Sequence, residues 1–149
     1  MIRATAIALL CAFSITVPAT AARAALADWD QGKVTALAND LVEAAQGLQG
    51  ALRRQPPPTL GQPGRRAFWA LRDEMQGIVA ASRRLHAAVS SGAGQDETYP
   101  TYRRILRSAR RAARETRRIQ LGQPIPEKIE AIAGAIRALR PFFDEEAPL

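Results

Sequence analysis

Between Phe68 and Val89 an apolar or small residue recurs at alternating steps of three and four: Phe68, Leu71, Met75, Ile78, Ser82, Leu85 and Val89. That is the period of an α-helix that buries one stripe and exposes the rest. Three more segments repeat the pattern. Val34, Leu37, Leu41, Ala45, Leu48 and Leu52 mark the first segment. Tyr102, Ile105, Ala109, Ala112, Thr116 and Ile119 mark the third, with Leu106 and Ala113 beside them. Ile125, Ile129, Ile132, Ile136, Leu139 and Phe143 mark the fourth. No strand-like alternation occurs anywhere. The spacing predicts helices over about 28–54, 62–90, 99–121 and 126–143.

The punctuation agrees. Asp28 to Gln31 offers a cap with a glutamine three residues on, and Thr59 with Gln62 offers a second. Pro56, Pro57 and Pro58 close the first segment, and Ser90 to Gly94 closes the second. Gly122 caps the third and Pro126 opens the fourth. Connections of roughly five to eight residues make successive helices antiparallel neighbours. The expected fold is all-α, an up-down-up-down antiparallel four-helix bundle with the stripes as its core. Alanines in and beside the stripes are expected to let the helices approach closely.

The start of the chain reads differently. Met1-Ile2-Arg3 is a short basic head, and the run from Ala4 to Val17 is apolar or small throughout. That matches a secretory signal peptide and is too short to span a bilayer, which needs about 20 apolar residues. Pro18 ends it, and small residues follow at cleavage spacing. Residues 1–24 are the expected leader, cut after Ala24, with Ala21 and Ala27 as alternative sites. Residues 25–149 would then form a single domain with a short acidic tail, Asp144 to Glu146. The expected location is exported, periplasmic or secreted, with no transmembrane segment in the mature chain. Cys11 is the single cysteine and lies in the leader, so the mature domain holds together without disulfides.

Most chemistry is excluded by what the chain lacks. Covalent haem needs C-x-x-C-H, and a carboxylate-bridged di-iron centre needs paired Glu-x-x-His motifs; neither occurs. His86 is the single histidine, and the residue three before it is Arg83. A non-covalent haem between Met75 and His86 fails on distance, since their spacing along one helix is about 16 Å. His86 is expected to be a half-buried structural residue at the edge of the stripe. The run after it, Ala87-Ala88-Val89-Ser90, lacks the lysine and glycine of histidine-phosphotransfer domains. Ser82, Ser90, Ser91 and Ser108 have no nucleophile elbow, and the adjacent Asp73 and Glu74 point about 100° apart on a helix. The expectation is a non-enzymatic protein with no cofactor and no metal site.

One feature departs from an ordinary bundle. The third segment carries Arg103, Arg104, Arg107, Arg110, Arg111, Arg114, Arg117 and Arg118, with Glu115 as its single acid between them. At 100° per residue the eight fall within an arc of about 140°. Arg103, Arg107, Arg110, Arg114 and Arg117 form one ridge, expected to face solvent opposite Ile105, Ala109 and Ala112. Like charges three and four apart repel, so relief is expected from Glu127 and Glu130 on the fourth helix. With a net charge of +7, this face is the candidate site for a partner or an anionic surface. The classes considered are anionic lipid, polysaccharide or an acidic protein surface. Nucleic acid is disfavoured by export and by the absence of aromatic residues on the face. Two other readings stand beside it: a haem-type cofactor-binding bundle, and a structural or stress-related envelope protein whose arginine face has no ligand. Antiparallel helices would also sort charge by end, with Arg53, Arg54, Arg65, Arg66, Arg117, Arg118 and Lys128 at one and Asp28, Asp30, Asp96 and Glu97 with the acidic tail at the other.

Overall fold

The structure is a computed structural model that describes residues 27–143. The expected leader, Cys11 and the tail Asp144 to Glu146 lie outside the described residues. Four helices dominate: α1 (Gln31–Arg54), α2 (Arg65–Ser90), α3 (Gln95–Thr116) and α4 (Ile125–Leu139). A short 3₁₀ turn, Arg140–Phe142, follows α4, and no strand occurs among the described residues.

Local chemistry moves several boundaries from their expected places. The cap of α1 is Asp30, not Asp28, and its carboxylate accepts from Lys33 N at 2.9 Å. Gln31 does not close a capping box. Its amide donates to the carbonyls of Val89 and Ala93 and so ties the start of α1 to the α2–α3 turn. Gln62 does bond back to Thr59 N, at 3.1 Å, yet α2 starts only at Arg65. Gly64 precedes it in a left-handed conformation with φ 88°, which only glycine adopts freely. A Cβ there would also meet Ile119 Cγ2 at 2.8 Å. α3 begins four residues earlier than expected because the Glu97 carboxylate accepts from Gly94 N at 3.0 Å, so Pro100 falls inside the helix on its exposed side. The helix ends at Thr116, not at residue 121. The Thr116 hydroxyl donates to Ala113 O at 2.8 Å, and Arg118 N bonds to Glu115 O at 3.0 Å, the tightened pattern of a closing turn. α4 ends at Leu139, and the 3₁₀ turn after it delivers Phe142 and Phe143 to the core.

The four stripes meet in one core. Leu41, Leu71, Ile78, Leu85, Ile105, Ile132 and Ile136 are all buried, as the register requires. Contacts run in opposite chain order between neighbours, so those helices are antiparallel. Lys128 Nζ lies beside Gly47, while Ala27 N donates to Pro141 O at 2.9 Å, which aligns α1 against α4. Arg111 reaches Glu74, and Ser108 Oγ lies near Gly77, which aligns α2 against α3. α1 packs closely on α2 and α4, and α2 on α3; α3 and α4 are not a closely packed pair. The alanines expected to let the helices approach closely do not bring them together at this seam. Tyr102 occupies one end of it, fully buried, stacked on Phe143 at 4.3 Å and bonded to Ile136 O at 3.4 Å. Beyond that ring, facing alanines leave a gap.

Candidate functional site: an arginine face beside an apolar cleft

The arginine face and the open seam adjoin. Arg103, Arg104, Arg107, Arg111, Arg114, Arg117 and Arg118 are exposed, as the ridge requires. Arg117 and Arg118 lie beyond the end of α3, so the regular ridge stops at Arg114. Arg103 stacks over Tyr99 with its guanidinium 5.8 Å from the ring centroid. Arg111 Nε donates to Glu74 Oε1 at 2.6 Å and its Nη2 to Ser108 Oγ at 3.2 Å. Arg118 Nη1 lies 3.6 Å from Glu115 Oε2. Arg104, Arg107, Arg114 and Arg117 form no ion pair among the described residues.

The expected relief from α4 does not arise. Glu130 pairs with Arg137 on its own helix, and Glu127 makes no ion pair among the described residues. The two helices share few close contacts at this seam. Relief comes instead from α2, through Glu74, which sequence spacing did not single out. It sits on α2, the helix that packs closely on α3.

Arg110 is the exception to the solvent-facing ridge. It is half-buried, and its Nε and Nη2 are shielded from solvent with no acceptor among the described residues. The helical angle explains the position. Arg110 falls near the edge of the arginine arc, next to Leu106 and Ala113 on the side that turns toward α4. Arg117 would lie further toward α4, but the helix has ended by then. A buried donor left without an acceptor costs about 1–3 kcal/mol, and more for a charged group.

Arg110 lines a cleft of about 110 Å³ between α3 and α4, open to solvent on one side. Leu48, Leu71, Met75 and Ile78 form its floor, Ala109, Ala112 and Ala113 one wall, and Ile129, Ile132, Ala133 and Ile136 the other. Apart from Arg110 and Thr116 every lining residue is apolar. Sequence periodicity put the leucines and isoleucines of this lining, with Met75, Ala109 and Ala112, in the core and so hid the cleft. A run of three alanines on one wall opposite another was the available indication.

Met75 and His86 do not come together. Met75 is buried in the cleft floor, whereas His86 is half-buried away from it with Nε2 3.3 Å from Ser90 Oγ. Among the described residues no group of three histidine, cysteine or acidic side chains is arranged to hold a metal ion, and no helix is long and apolar enough to cross a membrane.

Charge is also sorted along the molecule. Arg117 and Arg118 lie against the loop from Gln55 to Pro63, and Arg54 lies beside Gly122 to Ile125, so the basic residues of the α1–α2 and α3–α4 connections share one end. Asp30, Asp96 and Glu97 lie at the other, where Gln31 joins α1 to the α2–α3 turn. Comparison of the chain with protein-family models, with curated proteins and with solved structures finds no match in any of the three.

Proposed function

We propose that this chain is a non-enzymatic binding protein of the cell envelope, exported by a cleaved leader as a single up-down-up-down bundle. Its α3 face engages an anionic surface. The observation that carries this reading is a set of exposed arginines, Arg104, Arg107, Arg114 and Arg117, that no carboxylate among the described residues neutralises. A helix that served only as scaffold would gain from pairing these charges across the α3–α4 seam. Left free on one face, they supply a concentrated positive field whose attraction adds up over several charges. An anionic lipid headgroup layer is the surface this face fits best, because α3 presents these charges on an exposed face rather than in a pocket. Each charge close to such a layer contributes about 1 kcal/mol.

The test is retention on vesicles. The mature protein should bind vesicles containing an anionic phospholipid, bind weakly to neutral ones, and release as salt rises and the Debye length falls below about 8 Å. The triple variant Arg104→Gln, Arg107→Gln, Arg114→Gln should keep its helical circular dichroism and lose the retention. Unchanged binding by that variant would reduce the face to solvated charge.

A further inference from the structure

The apolar cleft between α3 and α4 and the residues that follow Phe143 in the sequence are complementary. We propose that the segment Asp144 to Leu149 folds back along the α3–α4 seam, with its carboxylates against Arg103 and Arg107 and with Leu149 in the cleft. The described chain stops at one end of this seam, where Phe143 stacks on Tyr102 at 4.3 Å. Six residues follow, and an extended chain of that length spans up to about 20 Å. Ala113 on the cleft wall lies about 16 Å along α3 from Tyr102, within that reach.

The order of the segment matches the order of the seam. Asp144, Glu145 and Glu146 come first and cover about 10 Å, the stretch of α3 that carries Arg103 and Arg107. Both arginines are exposed, and Arg107 forms no ion pair among the described residues. Asp30, Asp96 and Glu97 stand at the end where the segment starts and repel its carboxylates toward α3. Ala147, Pro148 and Leu149 come next, where the seam turns to alanine and isoleucine. Pro148 brings no N–H to be stranded against an apolar wall. An engineered cavity of roughly 150 Å³ admits benzene, so about 110 Å³ suits one branched aliphatic side chain. A second copy of the chain fits the cleft less well, because its arginines would meet those beside the cleft. The segment so placed competes with an anionic surface for the α3 face, and that consequence alone rests on the surface reading above.

Methyl-labelled NMR of the mature protein tests the seating without any ligand. Cross-relaxation is expected between the Leu149 methyls and those of Ala113, Ile132 or Ala133. Leu149→Ser should abolish the seating and lower the thermal midpoint by a few degrees. In the unaltered protein the contact should weaken as salt rises. In the variant Asp144→Asn, Glu145→Gln, Glu146→Gln it should be weaker at low salt and insensitive to salt. On anionic vesicles that charge variant should bind roughly tenfold tighter than the unaltered protein, a weight that about three exposed ion pairs supply. Absence of cross-relaxation at every cleft methyl would overturn the proposal, as would a midpoint unchanged by Leu149→Ser. A dimer held through the cleft, seen by sedimentation and lost in Ala133→Glu, would overturn it in favour of a second copy. Equal vesicle binding by the charge variant and the unaltered protein would overturn the competition. Seating in the cleft with no vesicle binding by either protein would overturn the surface reading instead, so the two failures are told apart.

Discussion

Tyr102 and Arg110 stand about two helical turns apart on α3 and border the same seam, yet they end in opposite conditions. The Tyr102 hydroxyl reaches Ile136 O, whereas two nitrogens of Arg110 find no acceptor among the described residues. Arg110 therefore burdens the fold by itself. Arg110→Met should raise unfolding free energy by about 1 kcal/mol or more in urea denaturation, because it removes unsatisfied donors and keeps the apolar stem. Arg107→Gln, on the solvent side, should stay within about 0.5 kcal/mol of the unaltered protein. The core behaves differently. Leu71 and Ile105 are fully buried, and Leu71→Ala or Ile105→Ala should each lower stability by about 2–5 kcal/mol in the same measurement. Leu71 also floors the cleft, which gives its truncation room to be partly accommodated, so Ile105→Ala should be the costlier of the two.

At the scale of the element, the helix ends carry the information that apolar periodicity lacks. α1 starts where Asp30 caps it, and Asp30→Ala should lower stability by about 0.5–2 kcal/mol. α2 starts where Gly64 turns through a left-handed conformation under Ile119. Gly64→Ala should cost more than that cap, since it combines an unfavourable backbone with a Cβ at 2.8 Å from Ile119 Cγ2. Thermal melting followed by circular dichroism ranks the two. The earlier start of α3 follows from the same competition. Pro100 and the residue before it argued for a boundary, but the Glu97–Gly94 cap and the Thr98 hydroxyl bond to Gly94 O settle the chain into helix sooner.

Over the whole molecule, two charged regions compete to explain binding to an anionic surface: the α3 face and the basic end formed by the loops. The variant Arg53→Gln, Arg54→Gln, Arg65→Gln, Arg66→Gln should retain vesicle binding within about twofold if the face is the contact, whereas the α3 triple variant should lose it. Loss in the first variant alone would move the contact to the end. The apolar spacing by itself determined that the described chain is helical, how many helices it has and most of the large side chains that are buried, because burying a stripe every three or four residues leaves a chain of this composition few other solutions. Of the ridge expected in solvent, Arg103, Arg107, Arg114 and Arg117 are exposed and Arg110 is not. What only the tertiary structure decided is how far apart two helices stand. Periodicity reports which face turns inward but not the distance to the element across from it, and that distance depends on what else fills the seam. Here a stacked Tyr102–Phe143 pair fills one end and facing alanines leave the rest open. Around that gap Glu130 pairs with Arg137 on its own helix, Arg110 stands at the wall of an apolar cleft, and Glu74 rather than an α4 carboxylate meets the arginine face.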